Sequence, residues 1–207
     1  MPDWITILGI IGTILGFAYM YLEYKAHYAL WPVGIVWSVC YLVIFALQGF
    51  YAWSLTWIYY LFTNIYGAIL WKKKNDESRK ELPITHLPKK RILPVVFSCV
   101  VLTVPIWFFV KTYNPYVSAE LDAGSLLILV SEAVSTSLGI VGMLLLAKKI
   151  AEQWIIWMVV NFLYLIANIY IKNVPITLFY VVYTTISVLG WIRWNKKAVT
   201  ESTLDKN

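Results

Sequence analysis

Ionisable and metal-binding side chains are scarce in this chain: of 207 residues 14% are charged, two are cysteine and two are histidine. Cys40 and Cys99 fall in different apolar runs, so they read as small buried side chains rather than a disulfide or metal framework. His27 and His86 stand far apart and offer no metal-ligand spacing. There is no phosphate-binding glycine loop, nucleophile elbow, HExxH or dinucleotide fingerprint, which excludes ATP-driven pumping by this chain alone. No nucleophile with its base marks an intramembrane enzyme, so neither catalytic residues nor a cofactor is expected. The basic runs, despite a formal net charge of +6, lack nucleic-acid-binding motifs, and no nucleic acid partner is expected.

Apolar surface is abundant instead. The chain is 60% hydrophobic with a mean hydropathy of +0.70, a composition for lipid rather than water. Apolar runs of bilayer length occur at about 4–22, 29–49, 52–71, 91–111, 124–147, 152–171 and 174–194, which predicts an all-α membrane protein with seven transmembrane helices. The first run follows Asp3 rather than a basic segment and has no small-residue cleavage site, so it reads as a span rather than a cleavable signal. Lys and Arg gather after the third run (Lys72, Lys73, Lys74, Arg79, Lys80, Lys89, Lys90, Arg91), between the fifth and sixth (Lys148, Lys149) and after the seventh (Arg193, Lys196, Lys197). The positive-inside rule then places the N-terminus outside and the C-terminus in the cytoplasm.

The chain repeats itself. Shifted by 123 residues, spans 1–3 align with spans 5–7 without a gap, giving about 18 identities, among them Gly16/Gly139, Trp31/Trp154, Tyr41/Tyr164, Gly67/Gly190 and Trp71/Trp194. Two three-helix units separated by one span must point the same way, so a parallel 3+1+3 repeat is expected. The expected division is a first bundle over 1–74, a cytoplasmic loop over 75–90, a linker helix over 91–112, a second bundle over 113–198 and a polar, frayed tail over 199–207. Pro83 and Pro88 bracket a turn rather than a helix, and span 4 reads as a lipid-facing connector.

Polar side chains keep helical step inside the spans. Trp154, Trp157, Asn161, Tyr164 and Asn168 stand at offsets 0, 3, 7, 10 and 14, within roughly 80° of one another around a helix. Amides facing lipid would leave donors unpaired, so this stripe should face the protein interior. Span 3 repeats the spacing with Trp57, Tyr60, Asn64, Gly67 and Trp71, and span 2 adds Trp37 and Tyr41. Two readings compete for such stripes: a solute pocket of indoles, phenols and amides, or a packing seam with amide glue. Gly12 and Gly16 of span 1, and Ser135, Thr136 and Gly139 of span 5, read as close-approach seams. Trp4, Trp71 and Trp194 fit the aromatic belt at the membrane interface. Glu132 lies inside a span, either as counter-charge or proton carrier for a solute or as a partner of nearby hydroxyls; Glu152 lies at a helix start. Indole faces favour flat, cationic rings, which sets the solute class for the pocket reading.

The WxxWxxxN of span 6 (Trp154, Trp157, Asn161), the NIYG of Asn64–Gly67, LEYKA at 22–26 and PITH at 83–86 together resemble the PnuC/PnuT vitamin transporters over nearly the whole chain. That resemblance implies a SWEET-like seven-helix fold in the bacterial cytoplasmic membrane. It implies facilitated diffusion of thiamine or nicotinamide riboside, with riboflavin carried by related members, and Trp154, Trp157 and Asn161 in the pocket. It also implies functional coupling to a cytoplasmic vitamin kinase that traps the solute without a stable complex. Trp57 stands where nicotinamide riboside carriers have a Gln, and LEYKA and PITH look more like the thiamine branch, so thiamine is the leading expectation and nicotinamide riboside the alternative. The expected partners are thus a small vitamin and membrane lipid, with monomer and trimer both open. A sensory seven-helix receptor is the rival class, although span 7 has no internal Lys for a retinal.

Overall fold

The computed structural model describes residues 3–49, 51–78, 81–114, 117 and 120–204, so Arg79 and Lys80 of the basic cluster and the last three residues of the tail lie outside it. The described residues form seven helices: α1 Asp3–Lys25, α2 Leu30–Leu47, α3 Tyr51–Ser78, α4 Lys89–Tyr113, α5 Ala123–Ala147, α6 Gln153–Tyr170 and α7 Val174–Leu204. Among the described residues there is no strand, only an isolated bridge between Thr85 and Ile150. Six helices are long and apolar enough to cross a membrane. α3 is not one of them: Trp, Tyr, Thr and Asn crowd its apolar stretch.

Two expected boundaries are corrected. α3 continues to Ser78 and α7 to Leu204, where a loop and a frayed tail were expected. Lys, Asn, Glu, Ala and Ser beyond each apolar run carry on the helical ladder because no Pro or Gly interrupts them.

The chain divides into two compact units. The first is Met1–Pro83 with Leu146–Lys149, and the second is Ile84–Leu145 with Ile150–Asn207. In the first, α2 packs against both α1 and α3; in the second, α6 packs against α7. α4 belongs to the second unit and touches it along one stripe, where Val95, Cys99 and Leu102 meet Leu138, Val141 and Leu145 of α5. The Thr103 and Ser137 hydroxyls bond at 2.8 Å on the same side. Most of the rest of α4 is exposed, as a lipid-facing helix should be, apart from buried Val110 and half-buried Ile106, Trp107 and Phe109.

Helix ends repeat at positions 123 apart. After α1, Ala26 takes a left-handed φ of 55°, its N–H donating to Glu23 and that of His27 to Leu22. After α5, Lys149 does the same at 51°, with its N–H on Leu146 and that of Ile150 on Leu145. Gly49 after α2 and Lys172 after α6 form the next such pair, at 77° and 57°. These caps satisfy the last carbonyls and reverse the chain within a few residues. Ahead of α5, the Asp122 carboxylate accepts the Ser125 N–H at 2.7 Å, which holds the acid below its ordinary pKa.

The turn after α5 is held in the first unit. The Trp71 indole N–H donates to the Ala147 carbonyl at 2.9 Å, and the Lys149 ammonium lies 4.2 Å from the centre of the Trp71 ring. In the second unit, the extended segment 84–88 lies along the start of α6. Ala151 donates to the Thr85 carbonyl, and the Glu152 carboxylate accepts the Leu87 N–H at 2.8 Å while contacting His86 Nδ1 at 3.0 Å. Glu152 is therefore a latch for this segment.

Candidate functional site

The aromatic and amide stripes face the protein interior. On α6, Trp154, Asn161 and Asn168 are buried and Trp157 and Tyr164 half-buried, while Ile155, Val159, Phe162, Ile166 and Ile169 turn outward. A carboxamide inside a bilayer must find donors and acceptors in protein, and this is where the stripe finds them.

Two layers of contact recur in both units. The first is a packing seam. Trp31 lies over Gly67 and meets Trp71 edge-on at 5.2 Å; Trp154 lies over Gly190 and meets Trp194 edge-on at 5.8 Å. A side chain at either glycine would overlap the indole, so the two residues together make the notch and the knob. All four tryptophans are at most 1% exposed. Trp71 and Trp194, expected in an interfacial belt, are thus core posts: each packs edge-on against the indole that the glycine of its unit admits. Trp4, at 51% exposed, keeps the belt reading. Trp154 packs α6 against α7, and its indole N–H, like that of Trp31, makes no hydrogen bond to the described protein.

The second layer is aromatic and amide. In the first unit Tyr41 stacks on Trp57 at 4.8 Å and 13°, with Trp37 edge-on to Trp57 at 5.1 Å and Tyr60 edge-on at 5.5 Å. Gly12 and Gly16 of α1 receive the Tyr41 and Trp37 rings, so the glycine seam seats the aromatic cluster. In the second unit Tyr164 stacks on Tyr180 at 5.1 Å and 24°. Next to each stack an amide meets a hydroxyl. Asn64 donates to Ser38 Oγ at 3.2 Å and to the Tyr60 carbonyl at 2.8 Å; Asn161 donates to Ser187 Oγ at 3.0 Å. Asn168 donates to the carbonyl of Tyr164 on its own helix, which makes it a locally satisfied residue. Glu132 is buried in α5.

Several buried polar atoms in this layer make no hydrogen bond to the described protein: the indole N–H groups of Trp37 and Trp157, the carbonyl oxygen of Asn64, and the hydroxyls of Ser131 and Ser135. Buried donors and acceptors are nearly always paired, so these groups, like the Gln153 amide and the indole N–H groups of Trp31 and Trp154, retain bonding capacity that an outside molecule would use. A shallow apolar groove lined by Leu165, Val181, Thr184, Thr185, Val188 and Leu189 lies elsewhere, among outward-facing side chains, and holds none of these atoms.

The structure therefore gathers Trp37, Tyr41, Trp57, Tyr60 and Asn64 within the first unit and Trp157, Asn161 and Tyr164 within the second. Sequence reasoning missed Ser38 and Tyr19, whose ring lies 5.3 Å from that of Trp37. The repeat could have found Ser38, since shifting by 123 puts it on Asn161.

The chain was compared with known proteins. The family model described as nicotinamide mononucleotide transporter matches residues 6–196. The nicotinamide riboside transporter PnuC of Escherichia coli (strain K12) is 24% identical over 95% of this chain and 87% of its own length, and that of Shigella flexneri gives the same values. A crystal structure of the vitamin B3 transporter PnuC superposes with a TM-score of 0.72 at 21% identity, covering 94% of this chain and 83% of that one. These relatives correct the substrate expectation. Their names favour nicotinamide riboside, the alternative, and give no support to thiamine, the leading expectation from LEYKA and PITH.

Proposed function

We propose a function that starts from one established point: the chain belongs to the nicotinamide mononucleotide transporter family. It is a multi-pass protein of the bacterial inner membrane. On our reading it carries nicotinamide riboside inward by facilitated diffusion, and a cytoplasmic kinase traps the vitamin by phosphorylation. The single observation that supports a solute site is the pair of unmet buried polar atoms beside the aromatic cluster of the first unit, Trp37 Nε1 and Asn64 Oδ1, with Trp157 Nε1 likewise unmet within the second. Stacked indoles and phenols suit the flat, positively charged nicotinamide ring. An indole N–H and an amide carbonyl within one unit suit its carboxamide, which needs an acceptor and a donor together. No cation stands among the candidate residues Trp37, Tyr41, Trp57, Tyr60, Asn64, Trp157, Asn161 and Tyr164, so the nucleoside fits better than its phosphorylated form, which would demand one.

The same reading takes the matched caps, seams and amide–hydroxyl pairs as a parallel 3+1+3 repeat, with α3 as the seventh span. On the same reading the lysine-rich turns lie in the cytoplasm with the C-terminus, and the N-terminus lies outside. Trp154 serves as a packing post rather than a pocket wall. Thiamine is kept as a second reading because Trp57 stands where an amide was expected.

Tryptophan-fluorescence titration of the purified protein with nicotinamide riboside, thiamine and riboflavin side by side tests the assignment. Saturable quenching by nicotinamide riboside alone is expected, whereas tighter binding of thiamine would reverse it. Uptake into vesicles should saturate, exchange label and survive a protonophore. Collapse under the protonophore would favour Glu132 as a proton carrier.

A further inference from the structure

A serine or threonine inside a helix commonly bonds the carbonyl four residues back. This chain follows the habit: Ser38, Thr63, Thr103, Thr184 and Ser187 all do so, at 2.7–2.9 Å. Ser131 and Ser135 of α5 depart from it. They are 2% and 1% exposed, and neither hydroxyl makes a hydrogen bond to the described protein.

Their direction follows from α5 itself. Gly124, Ser131, Ser135 and Gly142 stand at offsets 0, 7, 11 and 18, within roughly 40° of one another around the helix. The glycines at the two ends of this face have α6 rings as neighbours, Tyr170 at Gly124 and Trp157 at Gly142. The two hydroxyls thus lie on the side of α5 that meets α6, between those contacts. The unbonded indole N–H of Trp157 is on the facing helix. In the first unit the equivalent positions are Leu8 and Gly12, and Gly12 is taken up by the Tyr41 ring, so the second unit alone has this hydroxyl pair.

Two hydroxyls one helical turn apart each donate and accept. Their Cβ atoms are about 5–6 Å apart, a spacing that can straddle a vicinal diol. We propose that Ser131 and Ser135 bind the sugar hydroxyls of the transported nucleoside and so set its preference over rings that lack a diol. This rests on the nicotinamide riboside reading.

The test measures binding of nicotinamide riboside and of its 2′,3′-dideoxy analogue to the full-length protein and to S131A/S135A, with the unliganded Tm of each. At about 5-fold per hydroxyl, the native protein should prefer the diol by ~25-fold, and the variant by no more than ~2-fold. The variant's unliganded Tm should be equal or higher, because removing a buried hydroxyl that lacks a partner relieves an unmet polar group. A preserved preference in the variant overturns the inference. So does a lower unliganded Tm or failure to fold, since the hydroxyls would then be holding helices together. Native protein that does not bind nicotinamide riboside overturns the substrate reading itself, and is told apart by the absence of a native signal.

Discussion

The two units share a set of contacts at positions 123 apart and differ in the side chains that make the rest. Both have an indole over a glycine, an edge-on indole pair, a stacked ring pair and an amide–hydroxyl bond, each at positions 123 apart. The middle layer trades partners. Asn64 on α3 reaches Ser38 on α2, whereas Asn161 on α6 reaches Ser187 on α7, so the amide has changed helices. In the first unit Tyr19 of α1 lies over Gly34 of α2; in the second the ring is Trp157 of α6 and the glycine is Gly142 of α5. Knob and notch have exchanged places. The outer seam maintains one shape twice, while the middle layer preserves volume and hydrogen bonding but places them differently.

The largest expected effect tests the shared seam. Trp31→Ala and Trp154→Ala should each cost ~3–5 kcal/mol of stability, by removing a fully buried indole from a glycine notch that cannot collapse. Thermal unfolding in detergent measures this, and comparable losses in both variants are expected. A Trp154→Ala protein that unfolds normally but no longer binds would break the comparison and return Trp154 to the pocket. Next, Trp157→Ala should reduce nicotinamide riboside binding by about 1–3 kcal/mol, ~5- to 150-fold, with a smaller loss of stability than Trp154→Ala. Unchanged affinity in a titration would remove Trp157 from the site.

A smaller effect sharpens the exchanged pairs. The double variant S38N/N64S gives the first unit the second unit's arrangement and should cost no more than ~1.5 kcal/mol, since one hydrogen bond replaces another. Either single change should cost more than the double, a coupling read from a double-mutant cycle. The smallest effect concerns the cap ahead of α5. The folded-state pKa of Asp122 is depressed, so its contribution is complete above the ordinary value of 3.8 and is lost as pH falls through the folded value below it. Asp122→Asn should flatten that acid limb in a Tm-against-pH series and leave Tm near neutrality almost unchanged.

The helices were legible because their cause is local. Long apolar runs, the offsets of Trp154 through Asn168 and the identities 123 residues apart are one-dimensional patterns, and the described helices follow them to within a few residues except at the two polar extensions. The turns were less legible. Of the four left-handed caps only Gly49 has the residue that announces one; Ala26, Lys149 and Lys172 bear a strain of ~1 kcal/mol each that only the surrounding contacts sustain. The site was legible as a set of residues and not as a division of labour. Spacing put Trp154 and Trp157 on one face, but spacing cannot say that Gly190 closes over the first ring while the second stays half-buried, with both indole N–H groups unbonded.

By itself the sequence determined that this chain is helical, belongs in lipid and is built on a repeated pattern, because hydropathy and periodicity act through near neighbours along the chain. Only the tertiary structure decided which indoles are posts, which amides are paired and which hydroxyls stand unmet. Those properties depend on what a distant helix places opposite each side chain, and no local pattern encodes that.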